Sequence, residues 1–170
     1  MHPARDALRT SLILAVFAAS VAIAQTSLAD AAHKAPPNAS ARQDSVATDS
    51  LIQPNELAGL VTGPAAHRPK LVHVGFETLY TGGHIPGSIY AGPASETKGL
   101  AALKKALQPM PRQTQLVLYC GCCPWVDCPN VRAALEAARS MGFKHVRSLF
   151  IPRSLELDWI DKGYPTTKGA

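Results

Sequence analysis

The hydrophobic pattern of the chain alternates between short apolar runs and apolar residues at helical spacing. The runs predict strands at residues 71–74, 89–90, 115–119 and 145–149. The run at 115–119 is apolar at every position after Gln115, which is typical of a central parallel strand buried on both faces. The chain is therefore predicted to contain a parallel sheet with this strand near its centre.

Apolar residues three or four positions apart predict helices at residues 54–62, 98–107, 129–141 and 155–162. The first and third of these begin at a proline and are followed by a glycine, as is typical of helix boundaries. Strands and helices in alternation predict an α/β domain, in which a mostly parallel central sheet carries helices on both faces. Ligands of such sheets bind beyond the carboxyl ends of the strands, and Cys120 follows the central strand.

The N-terminal 24 residues have the pattern of a secretory signal peptide. Arg5 and Arg9 precede an apolar run at residues 12–23. The sequence Ala-Ile-Ala that ends at residue 24 fits a cleavage site, and a later candidate ends at Ala29. The run is shorter than the roughly 20 apolar residues of a membrane span. We therefore expect a periplasmic or secreted protein with no stable membrane span after cleavage; an uncleaved N-terminal anchor is the alternative.

Residues 25–50 are rich in alanine, proline, serine, asparagine and aspartate and carry no apolar periodicity. This composition predicts a disordered linker, and the domain itself is predicted at residues 51–167. The chain has 170 residues, of which 46% are hydrophobic. That is enough for one domain of this kind with its own core.

The formal net charge is +5, and the basic residues are scattered rather than clustered. Aromatic residues make up only 6% of the chain and do not alternate with lysine or arginine. Nucleic acid is therefore not expected as a partner. The modest charge and the lack of a long exposed apolar stripe favour a monomer.

All four cysteines lie between Cys120 and Cys128, in the sequence Cys-Gly-Cys-Cys-Pro-Trp-Val-Asp-Cys. An exported domain that used disulfides as general cross-links would normally spread its cysteines over several loops. Clustering instead indicates one local site, which is a reactive thiol, a metal site or a local disulfide.

Cys120 stands between the predicted central strand and a helix that begins at Pro129. Loop N–H groups and the positive end of that helix both favour a thiolate. They are expected to lower the pKa of the Cys120 thiol and to activate it as a nucleophile. The alternative is a buried structural cysteine. The predicted anion cradle consists of the backbone amides of Gly121, Cys122, Cys123, Pro124 and Trp125.

The other cysteines, Cys122, Cys123 and Cys128, have three interpretations. One of them can resolve a persulfide or form a reversible disulfide with Cys120. All four thiolates together can bind a soft metal ion such as Cu(I) or Zn(II). Two of them can instead form a structural disulfide, which stabilises little because it closes a short loop. Reactive thiols, without any cofactor, are the favoured interpretation.

Three segments of the chain resemble those of one known family, the rhodanese-like (sulfurtransferase) domains. The sequence Gly-His-Ile-Pro-Gly-Ser at residues 83–88 resembles that family's Gly-His-Ile-Pro-Gly-Ala segment. Leu118-Tyr119-Cys120 resembles the strand end that carries its catalytic cysteine, and Trp159 with the later Gly-Tyr-Pro resembles its closing motif. The resemblance covers about residues 51–165 and implies the rhodanese fold.

The resemblance also implies sulfur transfer. In that family, a cysteine at the position of Cys120 takes a sulfane sulfur from a small donor such as thiosulfate and passes it to a thiol acceptor. Two features depart from the family's pattern. His73-Val74-Gly75-Phe76 stands where an Asp-x-Arg pair is usual, and the cysteine loop is longer than the usual six residues.

A few further residues are candidates for the site. His84 and Gly87 belong to the Gly-His-Ile-Pro-Gly segment and are expected to be structural. His73 and Arg132 are possible substrate contacts, because His73 ends a strand on the same side as Cys120 and Arg132 lies in the first turn after the loop. Trp125 is expected to cover the sulfur or to contact a partner.

The leading hypothesis is an exported sulfurtransferase or persulfide carrier that uses Cys120 as its nucleophile. One alternative is a soft-metal-binding or thiol-redox module on the same fold. The other is a catalytically inactive interaction domain. Substitution of Cys120 distinguishes them, because sulfur loading needs that thiol alone whereas a metal site needs several of the four.

Overall fold

A computed structural model of the chain describes residues 50–169. The predicted signal peptide at residues 1–24 and the predicted linker up to residue 49 lie outside the described residues. The described part contains a five-stranded parallel sheet with the strand order β1-β5-β4-β2-β3. The strands are β1 (Leu51–Ile52), β2 (Lys70–His73), β3 (Ser88–Tyr90), β4 (Gln115–Tyr119) and β5 (His145–Leu149).

Helices connect the strands in the order expected of parallel crossovers. They are α1 (Pro54–Thr62), α2 (Glu77–Gly82), α3 (Thr97–Leu107) and α4 (Pro129–Ser140), followed by a π-helix at Glu156–Ile160. Two short 3-10 turns lie at Ala65–His67 and Trp125–Asp127. Within residues 50–169, no helix is both long enough and apolar enough to cross a membrane.

The central strand β4 separates two hydrophobic clusters. Leu116 and Leu118 pack on one face with residues of α3 and α4, whereas Val117 and Tyr119 pack on the other with residues of α1 and the π-helix. Successive side chains of a strand point to opposite faces, so an uninterrupted apolar run serves both clusters. The predicted α/β architecture, with helices on both faces of a parallel sheet, is confirmed.

Two elements are missing from the sequence-based assignment. Strand β1 is only two residues long and pairs with β5 at the edge of the sheet, Leu51 opposite Ser148 and Ile52 opposite Leu149. A two-residue strand is too short to show a period. Helix α2 buries none of its residues, so it has no apolar stripe to recognise. The helix predicted at residues 155–162 is a π-helix over a shorter range.

The C-terminal segment is fastened to the Gly-His-Ile-Pro-Gly segment. His84 and Thr167 exchange two backbone hydrogen bonds, of 2.9 and 2.8 Å. Trp159 is fully buried, and its indole Nε1 donates to the Pro165 carbonyl at 2.9 Å. Two motifs that are far apart in the sequence therefore meet in the fold.

Candidate active site

The cysteine loop, residues 120–128, leaves the carboxyl end of the central strand. The Val74 N–H donates to the Tyr119 carbonyl at 2.8 Å, which extends the contact between β2 and β4 up to Cys120. Beyond Cys120, the Leu155 N–H donates to the Gly121 carbonyl at 3.2 Å and ties the loop to the start of the π-helix. The loop is thus held between the two segments that follow the neighbouring strands.

The four thiols of this loop form one contiguous cluster. The Sγ atom of Cys122 lies 3.1 Å from that of Cys120 and 3.1 Å from that of Cys123. The Sγ atoms of Cys120, Cys122 and Cys128 all lie within 4.8 Å of one another. Cys120 and Cys128 are buried, Cys123 is half-buried and Cys122 is exposed, and all four are free thiols. A buried thiol therefore touches a thiol that solvent can reach.

Asn130 contacts the Cys120 sulfur and was not singled out by the sequence pattern. Its Oδ1 accepts hydrogen bonds from the backbone N–H of Ser95 at 2.9 Å and from the Ser95 hydroxyl at 2.7 Å. Its Nδ2 consequently faces Cys120 and donates to Sγ at 3.5 Å. The only sequence signal was a polar residue in the first turn of α4 beside apolar Val131, and its burial, with 2% exposed, is seen only in the structure.

The pKa of the Cys120 thiol is raised. The main causes are a hydrogen bond with the Cys128 side chain and the burial of the thiol, which the backbone N–H and thiol of Cys122 offset only in part. Burial also raises the pKa of Cys122, and it raises that of Cys123 to about 11. The predicted lowering of the Cys120 pKa is therefore wrong, because the hydrogen bond with Cys128 and the loss of hydration together outweigh the groups that favour the thiolate.

His73 lies beside the thiol cluster at the end of β2. A Cβ atom built on Gly75 would lie 2.6 Å from the Cys120 Sγ and 3.1 Å from the His73 Cε1, so both groups crowd the same glycine. The His73 Nδ1 accepts a hydrogen bond from the Gly75 N–H at 3.3 Å, whereas its buried Nε2 makes no hydrogen bond of good geometry.

Burial lowers the pKa of His73 to about 4, and hydrogen bonding to the Cys120 backbone opposes this shift only in part. The ring is enclosed by the aromatic rings of Tyr80, Tyr90 and Tyr119, with centroids 5.1 to 5.9 Å away. His73 is therefore a neutral ring at physiological pH. It therefore supplies no charge to the site at that pH.

With this geometry established, the chain can be compared with known proteins. Residues 53–149 match the family model for the rhodanese-like domain. The chain belongs to the rhodanese-like domain family. Comparison with curated proteins gives no significant match.

Solved structures share the fold of this rhodanese-like domain. The Alr3790 protein from Anabaena sp. is 21% identical with a TM-score of 0.53, and the alignment covers 69% of this chain and 82% of that one. The rhodanese-like domain of the same protein, solved by NMR, is 20% identical with a TM-score of 0.50 over 70% and 79% of the two chains. The BH2092 protein from Bacillus halodurans is 18% identical with a TM-score of 0.55 over 78% and 87%. At these identities the likeness concerns the fold alone.

Two of the five backbone amides predicted for the anion cradle are not available for it. Pro124 has no N–H group to offer, and the Trp125 N–H donates to the Ile151 carbonyl at 2.8 Å. The prediction of an amide cradle is therefore wrong for these two residues, and only the amides of residues 121–123 remain candidates. The Trp125 ring is half-buried and tilted against Phe150, with ring centroids 6.2 Å apart.

Arg132 is exposed, and its guanidinium donates to the Val126 carbonyl at 3.3 Å. This contact braces the cysteine loop. Within residues 50–169, no hydrogen bond joins Arg132 to a thiol, so a role in attracting an anionic donor stays a prediction.

His84 and Gly87 lie in the segment between α2 and β3. The His84 ring stacks on Tyr80 with centroids 3.9 Å apart, and its Nδ1 lies 2.8 Å from the Tyr80 carbonyl oxygen. Gly87 has a φ of +80°, a backbone conformation that favours glycine. These contacts hold the segment in place, and they do not bring either residue to the cysteines.

A cleft of about 410 Å³ lies at the opposite edge of the sheet, where β4 and β5 begin. It contains no cysteine and does not reach the carboxyl ends of the strands. The cysteine loop, and not this cleft, therefore remains the candidate site. The cleft is lined by Ser50, Gln115, Arg139, Phe143, Lys144, His145, Val146 and Arg147.

Proposed function

We propose that this protein is a sulfurtransferase-type persulfide carrier in which Cys120 holds the sulfane sulfur and Cys122 hands it on. The observation that carries the proposal is the 3.1 Å contact between the Sγ atoms of buried Cys120 and exposed Cys122. Membership of the rhodanese-like family and the position of Cys120 beyond the central strand support it.

Loading begins when the Cys120 thiolate attacks the outer sulfur of a small donor such as thiosulfate. A new sulfur–sulfur bond forms at Cys120, the sulfur–sulfur bond of thiosulfate breaks, and sulfite leaves with the electron pair. The Asn130 N–H and the Cys122 backbone N–H face this sulfur and stabilise negative charge on it. Because Cys120 is only 1% exposed, loading requires the cysteine loop to open.

Transfer then uses the neighbouring thiol. The Cys122 thiolate attacks the outer sulfur, the bond to Cys120 breaks, and Cys120 leaves as a thiolate that takes up the proton lost from Cys122. The persulfide now resides on an exposed residue, from which a thiol acceptor removes it. Burial protects the sulfur while it is stored, and exposure of Cys122 allows its release.

The test is the intact mass of the purified protein before and after thiosulfate, with a metal chelator present. We expect one added sulfur in the wild type and none in Cys120→Ser. Cys122→Ser should load, but should release its sulfur to a small thiol at least about tenfold more slowly, because the relay thiol is lost. Cys123→Ser is the matched control, since Cys123 lies next to Cys122 but makes no direct hydrogen bond with Cys120.

Two outcomes would contradict the proposal. Sulfur loading that survives Cys120→Ser would move the storage site to another thiol. Equal release rates from the wild type and Cys122→Ser would remove the relay step, leaving direct transfer from Cys120.

We further propose that the chain acts outside the cytoplasm, which the signal-peptide pattern of residues 1–24 supports. The full chain produced in a bacterium with a periplasm should be recovered there without its first 24 or 29 residues. Intact mass of the periplasmic protein measures this directly. A full-length product confined to the cytoplasm would refute export.

A further inference from the structure

Three sulfur atoms of the thiol cluster converge on one point. The Sγ atoms of Cys120, Cys122 and Cys128 lie within 4.8 Å of one another, and one pair is 3.1 Å apart. Thiolates at about 2.3 Å from a shared metal ion lie roughly 3.8 to 4.0 Å from each other. The closest observed pair is shorter than this, and the upper limit for the other pairs is longer. Small movements of the side chains, of less than about 1 Å each, would bring the sulfur atoms to metal-binding separations.

We propose that Cys120, Cys122 and Cys128 form a three-coordinate Cu(I) site. The donors are all sulfur, and within residues 50–169 no histidine or carboxylate joins the group. Soft thiolates select Cu(I) or Zn(II), but structural zinc sites almost always have four protein ligands. The Cys123 Sγ lies 3.1 Å from that of Cys122 but does not join the group whose sulfur atoms are all within 4.8 Å of one another. The group therefore supplies three converging ligands, the number that a trigonal Cu(I) ion takes.

The surroundings of the group suit a bound ion. Cys120 and Cys128 are both 1% exposed, whereas Cys122 closes the group on the solvent side. An ion can therefore reach Cys122 first and pass inward. The Asn130 side-chain amide donates to the Cys120 sulfur at 3.5 Å, and such outer contacts orient a ligand and stabilise its charge. On binding, each ligating thiol releases one proton.

This site goes beyond the proposed sulfur chemistry because it requires Cys128, which has no part in the sulfur relay. The two uses of Cys120 exclude each other, since a sulfur atom bound to metal is not free to form a persulfide. Sulfur loading is tested with a chelator present, so failure of metal binding leaves that result unaffected. Failure of sulfur loading likewise leaves the copper titration valid.

The test is an anaerobic titration of the full chain with Cu(I), kept reduced by ascorbate and competed by bicinchoninate. We expect one ion per chain in the wild type. Cys120→Ser, Cys122→Ser and Cys128→Ser should each weaken the affinity by at least about tenfold, because each removes a ligand. Cys123→Ser is the matched control and should stay within about threefold of the wild type.

Because Cys128 is buried, Cys128→Ala is measured beside Cys128→Ser, and circular dichroism of both copper-free variants checks that they fold. X-ray absorption at the copper edge provides a second readout, with three sulfur neighbours in the wild type and two in Cys122→Ser. Binding of less than half an ion per chain would overturn the proposal. So would a loss on Cys123→Ser as large as that on Cys122→Ser, or displacement of Cu(I) by equimolar Zn(II).

Discussion

The side-chain amide of Asn130 has one orientation open to it. Ser95 supplies two donors, its backbone N–H and its hydroxyl, and both go to Oδ1. The Nδ2 group must then point at the Cys120 sulfur. A donor held in this way costs no reorganisation when negative charge develops on the sulfur, so Ser95 acts on Cys120 through Asn130.

Replacement of Asn130 by alanine should slow sulfur loading at least about tenfold, because a hydrogen bond to a charged group contributes about 1.5–3 kcal/mol. Ser95→Ala removes one of the two anchors of the amide and should slow loading less, by a few-fold. Samples of each loading reaction, quenched at successive times and analysed by intact mass, give the loading rates of both variants. Loading of Asn130→Ala at the wild-type rate would show that this contact is only structural.

Gly75 is a glycine because the Cys120 sulfur occupies the place of a side chain. A Cβ there would meet the Cys120 Sγ at 2.6 Å and the Cys120 carbonyl oxygen at 2.9 Å. We expect Gly75→Ala to lower the free energy of unfolding by about 1–3 kcal/mol through overpacking and to displace the thiol. Urea denaturation measures the first effect and sulfur loading the second.

Gly59 provides the matched control for this change. It lies in the exposed part of α1 with nothing within 4 Å of a built Cβ. Gly59→Ala should therefore stabilise the protein by about 0.5–1 kcal/mol. A Gly75→Ala variant as stable as Gly59→Ala would mean that the thiol moves aside freely.

At the scale of elements, the π-helix is anchored by a buried carboxylate. Asp158, only 7% exposed, accepts hydrogen bonds from the Arg153 backbone N–H at 2.7 Å and from the Arg153 Nε and Nη2 at 2.9 and 2.6 Å. These contacts fix the segment between β5 and the π-helix. The same segment receives the Trp125 N–H of the cysteine loop at Ile151, so the anchor supports the site.

Asp158→Ala should lower the free energy of unfolding by about 2 kcal/mol, because it leaves a backbone donor without its partner. Glu56→Ala is the control and breaks the ion pair between Glu56 and Arg147. The Glu56 side chain is 49% exposed and the Arg147 side chain is 27% exposed. Exposed pairs contribute only about 0–1 kcal/mol, so this control should change little. Urea denaturation of the two variants compares them, and equal losses would rule out a special role for Asp158.

The length of an element largely decided whether it could be predicted from the sequence. Helix α4 has apolar residues at helical spacing over its length, and strand β4 is an apolar run after its first residue. The sequence predicts the ends of both within one residue of the observed ones. Strand β1 and helix α2 lack such a signal, because the first has two residues and the second buries none. Their positions follow from packing against the rest of the sheet.

At the scale of the whole molecule, one sheet joins two hydrophobic clusters. Leu103 of α3 belongs to one cluster and Trp159 to the other, and both side chains are fully buried. Strand β4 contributes to both clusters through alternating residues. Loss of packing on one face of the sheet therefore also disturbs β4, which packs against the cluster on the other face.

We therefore expect a single cooperative unfolding transition of the described domain. In a Trp125→Phe background, where Trp159 is the remaining tryptophan, Leu103→Ala should lower the free energy of unfolding by about 2–5 kcal/mol. The urea midpoint should shift equally by circular dichroism and by tryptophan fluorescence, although Trp159 lies on the opposite face. Separate midpoints for the two signals would indicate that the faces unfold independently.

The class of fold, the central strand and the position of Cys120 at its end could all be predicted from the sequence. These depend on period, on helix boundaries and on short motifs, which are local properties of the chain. Other features became visible only once the chain was folded. Cys120 is buried and has a raised thiol pKa. Asn130, held by Ser95, contacts the Cys120 sulfur, and Cys128 lies beside Cys120 and Cys122. The physical reason is that burial, hydration and contacts between distant segments arise only when the strands and helices pack together.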